Sequence, residues 1–577
     1  MGHPLFRKKT IEKILRDAAR NDEAAHGGAS RLKRVLSVRD LTFIGIAAII
    51  GAGSFSSLGE AVFKGGPGVI YLFIICGIAC GFTALCYAEF ASRIPVAGSA
   101  YTYAYASFGE LFAWIIGWAL IMEYSIGNIY VAFSWSDYFT SFLHRIGIHL
   151  PDYLATSYGE AKKAFLGGSS NIELINAWQS APVVNGLKII FDLPALAINI
   201  AITSLVYIGI KESKNFSNIM VILKLLIVVL VICVGAYYID PDNWHPANDA
   251  GVKAFMPNGF AGVMTAVSSV FFAYIGFDAI SVMAEESKNP QRDLPKSMIY
   301  SLVICTVVYI LLALVLTGVL NYRLFEGVGD PLSKIFEAEG VNWMQFIVSL
   351  AAIIAMSSVL LVFQMGQPRI WMSMSRDGLL PPAFERIHPK FKTPSFSTIV
   401  TGFLVGIPIL FTDKTFILDF TSIATLFAFV LVCGGVLLIP KREKEAGKFN
   451  MPFIGSKFLF PLIVIVAMIA AYLLDNHYFT GLFDIHEDNA SLNISSIIFW
   501  ILMIFLAILS FIKNYSLIPL MGLSTCSYLL TGMTGENWAW FAGWLLLGLA
   551  FYFLYGYKKS KLSKKNGRLP DQVDVGN

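Results

Sequence analysis

Charged side chains are scarce in this chain, since Asp, Glu, Lys and Arg together make up 14% of its 577 residues. Hydrophobic residues make up 56%, and the mean hydropathy is +0.65. A water-soluble fold of this size could not bury so much apolar surface. The composition therefore excludes a water-soluble protein and predicts that the chain is embedded in the lipid bilayer, which is its partner.

Residues that carry enzymatic chemistry are also few. The chain has eight histidines, all in predicted tails or loops and without the paired spacing of a metal or haem site. No Walker-type glycine loop and no nucleotide-binding domain appears, so energy for any transport must come from a gradient or from exchange. All seven cysteines lie in apolar runs, which favours buried thiols over disulfides. We therefore predict no enzyme, no cofactor, no metal site and no nucleic-acid partner.

Long apolar runs are what the chain does have. A helix needs about 20 mostly apolar residues to cross a hydrocarbon core of about 30 Å. Fourteen runs meet this description and predict an all-α integral membrane protein with about 14 transmembrane helices. We number them spans 1 to 14; they lie near 40–62, 68–92, 108–140, 185–209, 216–238, 258–283, 298–321, 343–367, 395–412, 416–439, 458–475, 495–512, 516–533 and 537–556.

The placement of basic residues predicts the topology. With the N-terminus in the cytoplasm, most of the 43 Lys and Arg residues fall on cytoplasmic segments, as the positive-inside rule requires. A shift by one span early in the chain would remove this asymmetry. We therefore expect a multi-pass protein of a plasma or bacterial inner membrane, with cytoplasmic tails at 1–36 and 558–577.

Two spans carry residues that interrupt helices. Span 1 has Gly51, Gly53 and Ser54 at mid-membrane depth, and span 6 has Gly276 and Asp278. A glycine packing face in span 1 and a continuous helix with one inward acid in span 6 are the plain alternatives. Spans 1 and 6 lie five apart, however, as an inverted repeat of five plus five spans requires. This reading divides the chain into repeats at 37–240 and 241–440, followed by additional helices at 441–557.

Interrupted helices expose backbone groups that suit a zwitterion. The free N–H groups at the start of a half-helix favour a carboxylate, and free carbonyls favour an ammonium. The predicted carboxylate site consists of the amides near Ala52, Gly53 and Ser54. The predicted amine site consists of the carbonyls near Ile49, Phe272, Ala273 and Ile275. In span 8, Met356 and Ser357 are expected to limit the size of the pocket.

Ionisable residues within spans are functional candidates by default. Lys224 is the one basic residue near the middle of a span, and a lysine there can gain and lose a proton, as proton coupling requires. Glu123 and Asp278 could share that proton, although a structural hydrogen-bonding role is as good a reading for these acids. Sodium coupling is the competitor, with Ser357 and Ser358 as oxygen ligands. A lysine ammonium beside such oxygens could replace the cation.

Several strings resemble the cationic amino acid transporter family, a branch of the amino acid, polyamine and organocation superfamily. They are GAGSF (51–55), CYAEFASRIPVAGSAYTYAYASFGELFAWIIGW (86–118), FFAYIGFDA (271–279), EESKNPQRDLPK (285–296) and QPRIWMSMSRDGLLP (367–381). The resemblance implies the five-plus-five fold, alternating access and a central amino acid site. It matches Lys224 to the family's span 5 lysine, which stands where sodium binds in other relatives, and Glu123 to its span 3 acid. Ala52 and Ser54 depart from the family pattern, so the substrate preference is open.

The sequence as a whole predicts a secondary active amino acid transporter coupled to protons. An exchanger of amino acids or polyamines, a sodium-coupled symporter and a non-transporting amino acid sensor are the alternatives. The substrate could be cationic, as the resemblance suggests, or neutral, because no carboxylate is clearly placed to bind a basic side chain. The oligomeric state cannot be read from the sequence.

Overall fold

The structure is a computed structural model in which most of the chain is helical. It describes residues 7–14, 16, 36–96, 99–167, 172–209, 214–247, 251–284, 287–391, 393–439, 448–474, 476–483 and 490–562. Most of the two predicted tails, 1–36 and 558–577, therefore lies outside the described residues. The prediction of an all-α membrane protein is confirmed.

The first half of the chain contains spans 1 to 5. Its helices are α1 (Val38–Ile49), α2 (Leu58–Gly65), α3 (Val69–Arg93), α4 (Ser99–Ser107), α5 (Glu110–Arg145), α6 (Tyr158–Gly167), α7 (Ile172–Ser180), α8 (Leu193–Ile208) and α9 (Lys214–Tyr237). The loop between spans 3 and 4 holds α6, α7 and an antiparallel hairpin of β1 (Val183–Val184) and β2 (Leu187–Lys188).

The second half contains spans 6 to 14. Its helices are α10 (Gly259–Met264), α11 (Val267–Phe272), α12 (Ala279–Val282), α13 (Pro290–Val319), α14 (Pro331–Ala338), α15 (Asn342–Arg376), α16 (Ser395–Ile409), α17 (Lys414–Leu438), α18 (Leu459–Leu474), α19 (Tyr478–Gly481), α20 (Ala490–Lys513), α21 (Leu517–Leu530), α22 (Gly535–Phe551) and α23 (Tyr557–Lys559).

Every predicted span corresponds to one helix or to an interrupted helix. Span 1 is formed by α1 and α2, and span 6 by α10 to α12; the other twelve are α3, α5, α8, α9, α13, α15, α16, α17, α18, α20, α21 and α22. Within the described residues, seven helical segments are long and apolar enough to cross a membrane, and five more are shorter apolar helices. The chain is thus a multi-pass membrane protein.

Helix α5 lies at the centre of the bundle, where nearly all of its apolar length is buried. It packs against α15 and α17. By contrast, α20 and α22 are mostly exposed along their apolar lengths, as expected of helices at the periphery that face lipid. The core that positions a site therefore lies among spans 1, 3, 6, 8 and 10.

The last span is fastened to α5 by tryptophan side chains. The indole N–H of Trp114 donates to the carbonyl of Gly548 at 2.9 Å, and that of Trp118 donates to the carbonyl of Trp544, also at 2.9 Å. The indole of Trp544 returns a hydrogen bond to the carbonyl of Trp118 at 3.1 Å. These bonds hold the C-terminal helix beside the central one.

A buried carboxylate, Glu110, joins the two ends of the chain at the start of α5. It accepts hydrogen bonds from the hydroxyls of Tyr105 and Tyr552, each at 3.0 Å, and from the hydroxyl of Ser560. The N–H of Glu110 donates to the carbonyl of Arg7 at 2.9 Å. Segments from both ends of the chain thus meet at one carboxylate.

A second carboxylate, Asp377, lies just after α15 on the same face of the bundle. It forms an ion pair with Lys9 and accepts a hydrogen bond from the hydroxyl of Tyr101 at 2.6 Å. Its carbonyl accepts from the N–H of Lys561 at 3.1 Å. The described segments nearest the two chain ends therefore lie on one face, as an even number of crossings requires. That this face is cytoplasmic stays a prediction.

Replacement of Glu110 by alanine is expected to destabilise the fold. It would leave the hydroxyls of Tyr105, Tyr552 and Ser560 without an acceptor, and each unpaired buried polar group costs about 1–3 kcal/mol. The thermal unfolding midpoint of the purified protein should fall clearly. Glu339→Ala, at an exposed loop position, is the control. Equal midpoints for the two variants would contradict the structural role of Glu110.

Candidate functional site

The interruption of span 1 lies between α1 and α2. Helix α1 ends at Ile49, Ile50 takes an extended conformation (φ −79°, ψ 96°), and a π-helical turn over Gly53–Ser57 leads into α2. The carbonyl of Gly51 accepts from the N–H groups of Ser54 at 3.1 Å and of Phe55 at 3.0 Å. Non-helical backbone is tolerated in a membrane protein only when it is buried in protein or lines a cavity.

The interruption of span 6 lies between α11 and α12. Helix α11 ends at Phe272, α12 begins at Ala279, and tight turns fill the interval. Gly276 has φ +119°, a conformation that side chains rarely adopt. The glycines and polar residues of spans 1 and 6 thus lie at true helix breaks, which excludes the plain alternative of continuous helices.

The two interruptions touch each other at glycines. A Cβ atom added to Gly53 would lie 2.6 Å from Cα of Ala273. A Cβ added to Gly276 would lie 2.9 to 3.0 Å from the backbone and Cβ of Ala48. Each glycine therefore permits an approach of backbone to backbone that no larger residue would allow.

A small cavity of about 10 Å³, room for about one water molecule, lies between the two interruptions. It is bounded by residues of spans 1, 3, 6 and 8, namely Ala48, Ile49, Ala52, Gly53, Val131, Phe272, Ile275, Val359 and Phe363. We call this the central cavity. Five of the predicted substrate-site residues line it: Ile49, Ala52, Gly53, Phe272 and Ile275. Ala273 lies directly behind it, against Gly53.

Besides Ala273, three predicted site residues are not among those that line the central cavity. The hydroxyl of Ser54 donates to the carbonyl of Gly51 at 3.1 Å, so it is used within its own turn. The hydroxyl of Ser357 donates to the carbonyl of Ile353 and accepts from the indole of Trp135. Met356 is fully buried in the core. In span 8, the residues that line the central cavity are Val359 and Phe363.

Lys224 places its ammonium group on the interrupted part of span 1. Its Nζ donates to the hydroxyl of Ser358 at 2.5 Å and lies 3.3 Å from the carbonyl oxygen of Ala47 and 3.5 Å from that of Ile50. The side chain is buried, with 2% of its surface exposed. The snorkelling alternative is therefore excluded, because the ammonium lies in the protein core.

Glu123 and Asp278 form a separate pair. Both are buried, and their charges are close enough to interact. Glu123 Oε2 and Asp278 Oδ2 have no hydrogen-bond partner within the described part of the chain, and the same holds for the hydroxyls of Tyr87 and Tyr124 beside them. Unpaired polar atoms at this density are unusual in a protein core and mark a polar interior.

A larger cavity, of about 220 Å³, lies on the face opposite to the chain ends. It is bounded by the second half of span 1, the end of span 3, the start of span 10 and the loops beside them, and we call it the vestibule. Its charged lining residues are Glu60, Asp137, Asp152, Glu160, Glu173, Asp330 and Lys414. Lys414 forms an ion pair with Asp137.

Two vestibule carboxylates in the loops have shifted pKa values. Burial raises the pKa of Glu160 to about 7, and the Asp137 carboxylate acts in the same direction. Burial also raises the pKa of Asp330 to about 6, against the opposing effect of Arg145. The charge of the vestibule therefore changes near neutral pH.

Two aromatic rings that contact each other belong to the linings of different cavities. Tyr130 lines the vestibule and Phe272 lines the central cavity. Their ring centroids are 4.5 Å apart at an angle of 62°. The linings of the two cavities thus meet at this pair.

Sequence reasoning missed the apolar walls of the central cavity. Val131, Val359 and Phe363 are ordinary members of long apolar helices, and nothing in their spacing distinguishes them from residues that face lipid. It also missed Tyr309 of span 7, whose hydroxyl contacts the carbonyls of both interruptions. A tyrosine in an apolar run was the one available signal, because its hydroxyl needs a polar partner when buried.

Comparisons with known proteins agree with this geometry. A family model described as amino acid permease matches residues 36–478. The chain is 37% identical over 565 residues to the branched-chain amino acid permease BcaP of Bacillus subtilis, covering 98% of this chain and 100% of that protein. It is 34% identical over 561 residues to the methylthioribose transporter of the same organism, covering 97% and 99%.

A human relative supports the resemblance found in the sequence. The chain is 33% identical over 410 residues to human cationic amino acid transporter 4, covering 71% of this chain and 60% of that protein. The names of all three relatives denote transporters or permeases. The predicted resemblance and the prediction that the chain is not an enzyme are both confirmed.

Replacement of Gly276 by alanine is expected to force the two interruptions apart. The added Cβ would meet the backbone of Ala48, and alanine is strained at φ +119°. The unfolding midpoint of the purified protein should fall well below that of Gly543→Ala, because a Cβ at Gly543 meets nothing within 4 Å. Similar midpoints would contradict the close approach described above.

Proposed function

The chain belongs to the amino acid permease family, and from that premise we propose that it is a secondary active importer of neutral amino acids with apolar side chains, driven by protons. We place it in a plasma or bacterial inner membrane with both chain ends in the cytoplasm. The observation that carries the proposal is the central cavity, in which interrupted backbone meets apolar side chains.

The backbone part of the cavity suits the common part of every amino acid. The substrate carboxylate would lie at the N–H groups around Ala52 and Gly53, at the start of the second half of span 1. Its ammonium would lie at the carbonyls of Ile49, Phe272, Ala273 and Ile275. Ser54 would not contribute its hydroxyl, because that group is already bonded to the carbonyl of Gly51.

The side-chain part of the cavity favours an aliphatic group. Val131, Ile275, Val359 and Phe363 line it, and no carboxylate is among its lining residues. A basic side chain would therefore enter without a partner for its charge, which is costly in a buried site. A branched aliphatic side chain would meet apolar neighbours instead, once the cavity widens to admit the substrate. This preference agrees with the name of the Bacillus branched-chain permease, rather than with those of the cationic transporters.

Proton coupling is favoured by the position of Lys224. Its ammonium occupies oxygens of Ala47, Ile50 and Ser358 that a sodium ion would need. Sodium and a charged lysine cannot share these ligands, so a proton on Lys224 takes the place of the ion. Because the contacts are to span 1 itself, loss of the proton would change how the interrupted helix is held.

The acid pair offers a second place for the same proton. Glu123 and Asp278 are buried together, so one shared proton would remove the repulsion between their charges. Asp278 also belongs to the interruption of span 6, and α12 starts directly after it. We therefore keep Lys224, Glu123 and Asp278 as the proton-coupling residues, arranged in two groups.

The repeat organisation completes the proposal. Residues 37–240 and 241–440 form two inverted repeats whose first spans are the interrupted ones, and 441–557 adds four further spans. Alternating access would open the central cavity first to the vestibule and then to the face that holds the chain ends. The Tyr130–Phe272 pair would act as the gate on the vestibule side.

Uptake into liposomes provides the direct test. Purified protein should accumulate labelled L-leucine when the lumen is alkaline, unlabelled L-isoleucine and L-valine should compete, and L-lysine should not. Methylthioribose has neither an ammonium nor a carboxylate, so it tests the need for a zwitterion. Competition by methylthioribose but not by amino acids would overturn the proposed substrate class.

Three further outcomes would change the mechanism. Counterflow with preloaded leucine that exceeds pH-driven uptake would identify an exchanger. Uptake that requires a sodium gradient would identify a sodium symporter. Leucine binding without any transport would identify a sensor.

Lys224→Met is expected to abolish uptake driven by a pH gradient. The substitution retains a chain of similar length but removes the proton carrier beside Ser358. Lys253→Met, at a loop lysine with an exposed side chain, is the matched control and should transport like the wild type. If Lys224→Met keeps full pH-driven uptake, the proton-carrier role of this lysine is wrong.

A further inference from the structure

Tyr309 connects the two interruptions through a single hydroxyl group. It belongs to α13 and is fully buried. Its Oη lies 2.8 Å from the carbonyl oxygen of Ile49 and 2.7 Å from that of Ala273. Two carbonyl oxygens at these distances from one donor atom lie close together. They are near enough to accept hydrogen bonds from a second donor group as well.

Both carbonyls lie where a helix stops. Ile49 is the last residue of α1, and Ala273 is the first residue after α11. At such positions the carbonyl loses the helical N–H that would otherwise satisfy it, and the apolar interior offers no water in its place. The hydroxyl of Tyr309 supplies the missing donor to both.

The ring of Tyr309 is held in place by other aromatic rings. Its centroid lies 5.7 Å from that of Phe73 on span 2 and 5.5 Å from that of Tyr274, which it meets at 90°. The hydroxyl of Tyr274 donates to the carbonyl of Phe73 at 2.7 Å, so the second ring is fixed as well. The direction of the Tyr309 hydroxyl is thus set by packing on spans 2 and 6.

We propose that Tyr309 is a positioning residue for the amine end of the substrate, an inference that rests on the proposed function and deepens it. The hydroxyl fixes the separation of the Ile49 and Ala273 carbonyls, so that both present a remaining lone pair to one ammonium group. Tyr309 does not line the central cavity itself. It acts from outside the cavity lining, on two carbonyl acceptors: that of Ile49 in span 1 and that of Ala273 in span 6.

This role has a chemical consequence for substrate selection. One hydroxyl proton shared by two carbonyls leaves each with acceptor capacity, because a carbonyl oxygen has two lone pairs. An ammonium group with three N–H donors can use that capacity, whereas a ligand that lacks the amine cannot. The contribution of Tyr309 to affinity therefore depends on the presence of the amine.

The test compares two ligands that differ only in that group. L-leucine and 4-methylpentanoate, which is leucine without its amine, are titrated against purified full-length protein, and dissociation constants are measured by calorimetry or by competition with labelled leucine. Tyr309→Phe keeps the ring and removes the hydroxyl. We expect its dissociation constant for leucine to rise about tenfold, the effect of losing one carbonyl–ammonium hydrogen bond when the two carbonyls are no longer held in place. Its constant for 4-methylpentanoate should change less than twofold.

Tyr101→Phe is the matched control. It removes a buried tyrosine hydroxyl whose acceptor, Asp377, lies just after α15, and Tyr101 is not among the residues that line the central cavity. Both ligands should bind it within twofold of the wild type. A merely structural role of Tyr309 would weaken the binding of both ligands alike.

The outcomes separate this inference from the proposed function. A Tyr309→Phe variant that binds leucine within threefold of the wild type, or loses affinity for both ligands by the same factor, overturns the positioning role while the proposed function stands. A wild-type protein that binds no amino acid overturns the proposed function, and the inference falls with it.

Discussion

Peptide groups that lose their helical partners inside an apolar core impose the constraint on which the rest of this structure depends. Each unpaired N–H or carbonyl is costly where no water can reach it. In spans 1 and 6 the chain leaves such groups at mid-bundle, and other side chains satisfy them. Lys224 contacts the carbonyls of Ala47 and Ile50, and Tyr309 contacts those of Ile49 and Ala273. The interruptions are therefore held from spans 5, 7 and 8, and a change in any of these contacts changes the geometry of the central cavity.

The sequence predicted the place of the interruptions because their cause is local. Glycine, serine and aspartate at mid-span disfavour a continuous membrane helix whatever surrounds it, and the structure has its breaks at Ile50 and after Phe272. The predicted site residues that belong to the broken backbone were chosen from the same signal. Span count was also predictable, because the length of an apolar run reports directly on the thickness of the bilayer.

The side chains that surround Lys224 and line the central cavity could not be predicted in the same way. Which side chains face inward depends on how each helix is rotated about its axis. Consecutive residues of an α-helix point about 100° apart. In span 8, therefore, Ser358 reaches Lys224 while its neighbour Ser357 bonds to Trp135 instead. The sequence contains both serines and gives no sign of which one faces span 5. Val359 and Phe363 pose the same problem, since any apolar residue of the span would serve equally well for insertion in the membrane.

Helix α5 relates the parts of the protein to one another. It is continuous from Glu110 to Arg145, which at 1.5 Å per residue is a rod of about 54 Å. Along this rod lie the contact with both chain ends at Glu110, the acid at Glu123, the cavity wall at Val131 and the vestibule carboxylate at Asp137. A rod that touches every compartment cannot bend to open one of them without disturbing the others. The interrupted helices can bend, because each half-helix is joined to the next by a few non-helical residues. If the protein alternates its access as proposed, α5 is the fixed reference, and the first contact to break on the vestibule side is that between Tyr130 of the rod and Phe272 at the end of α11.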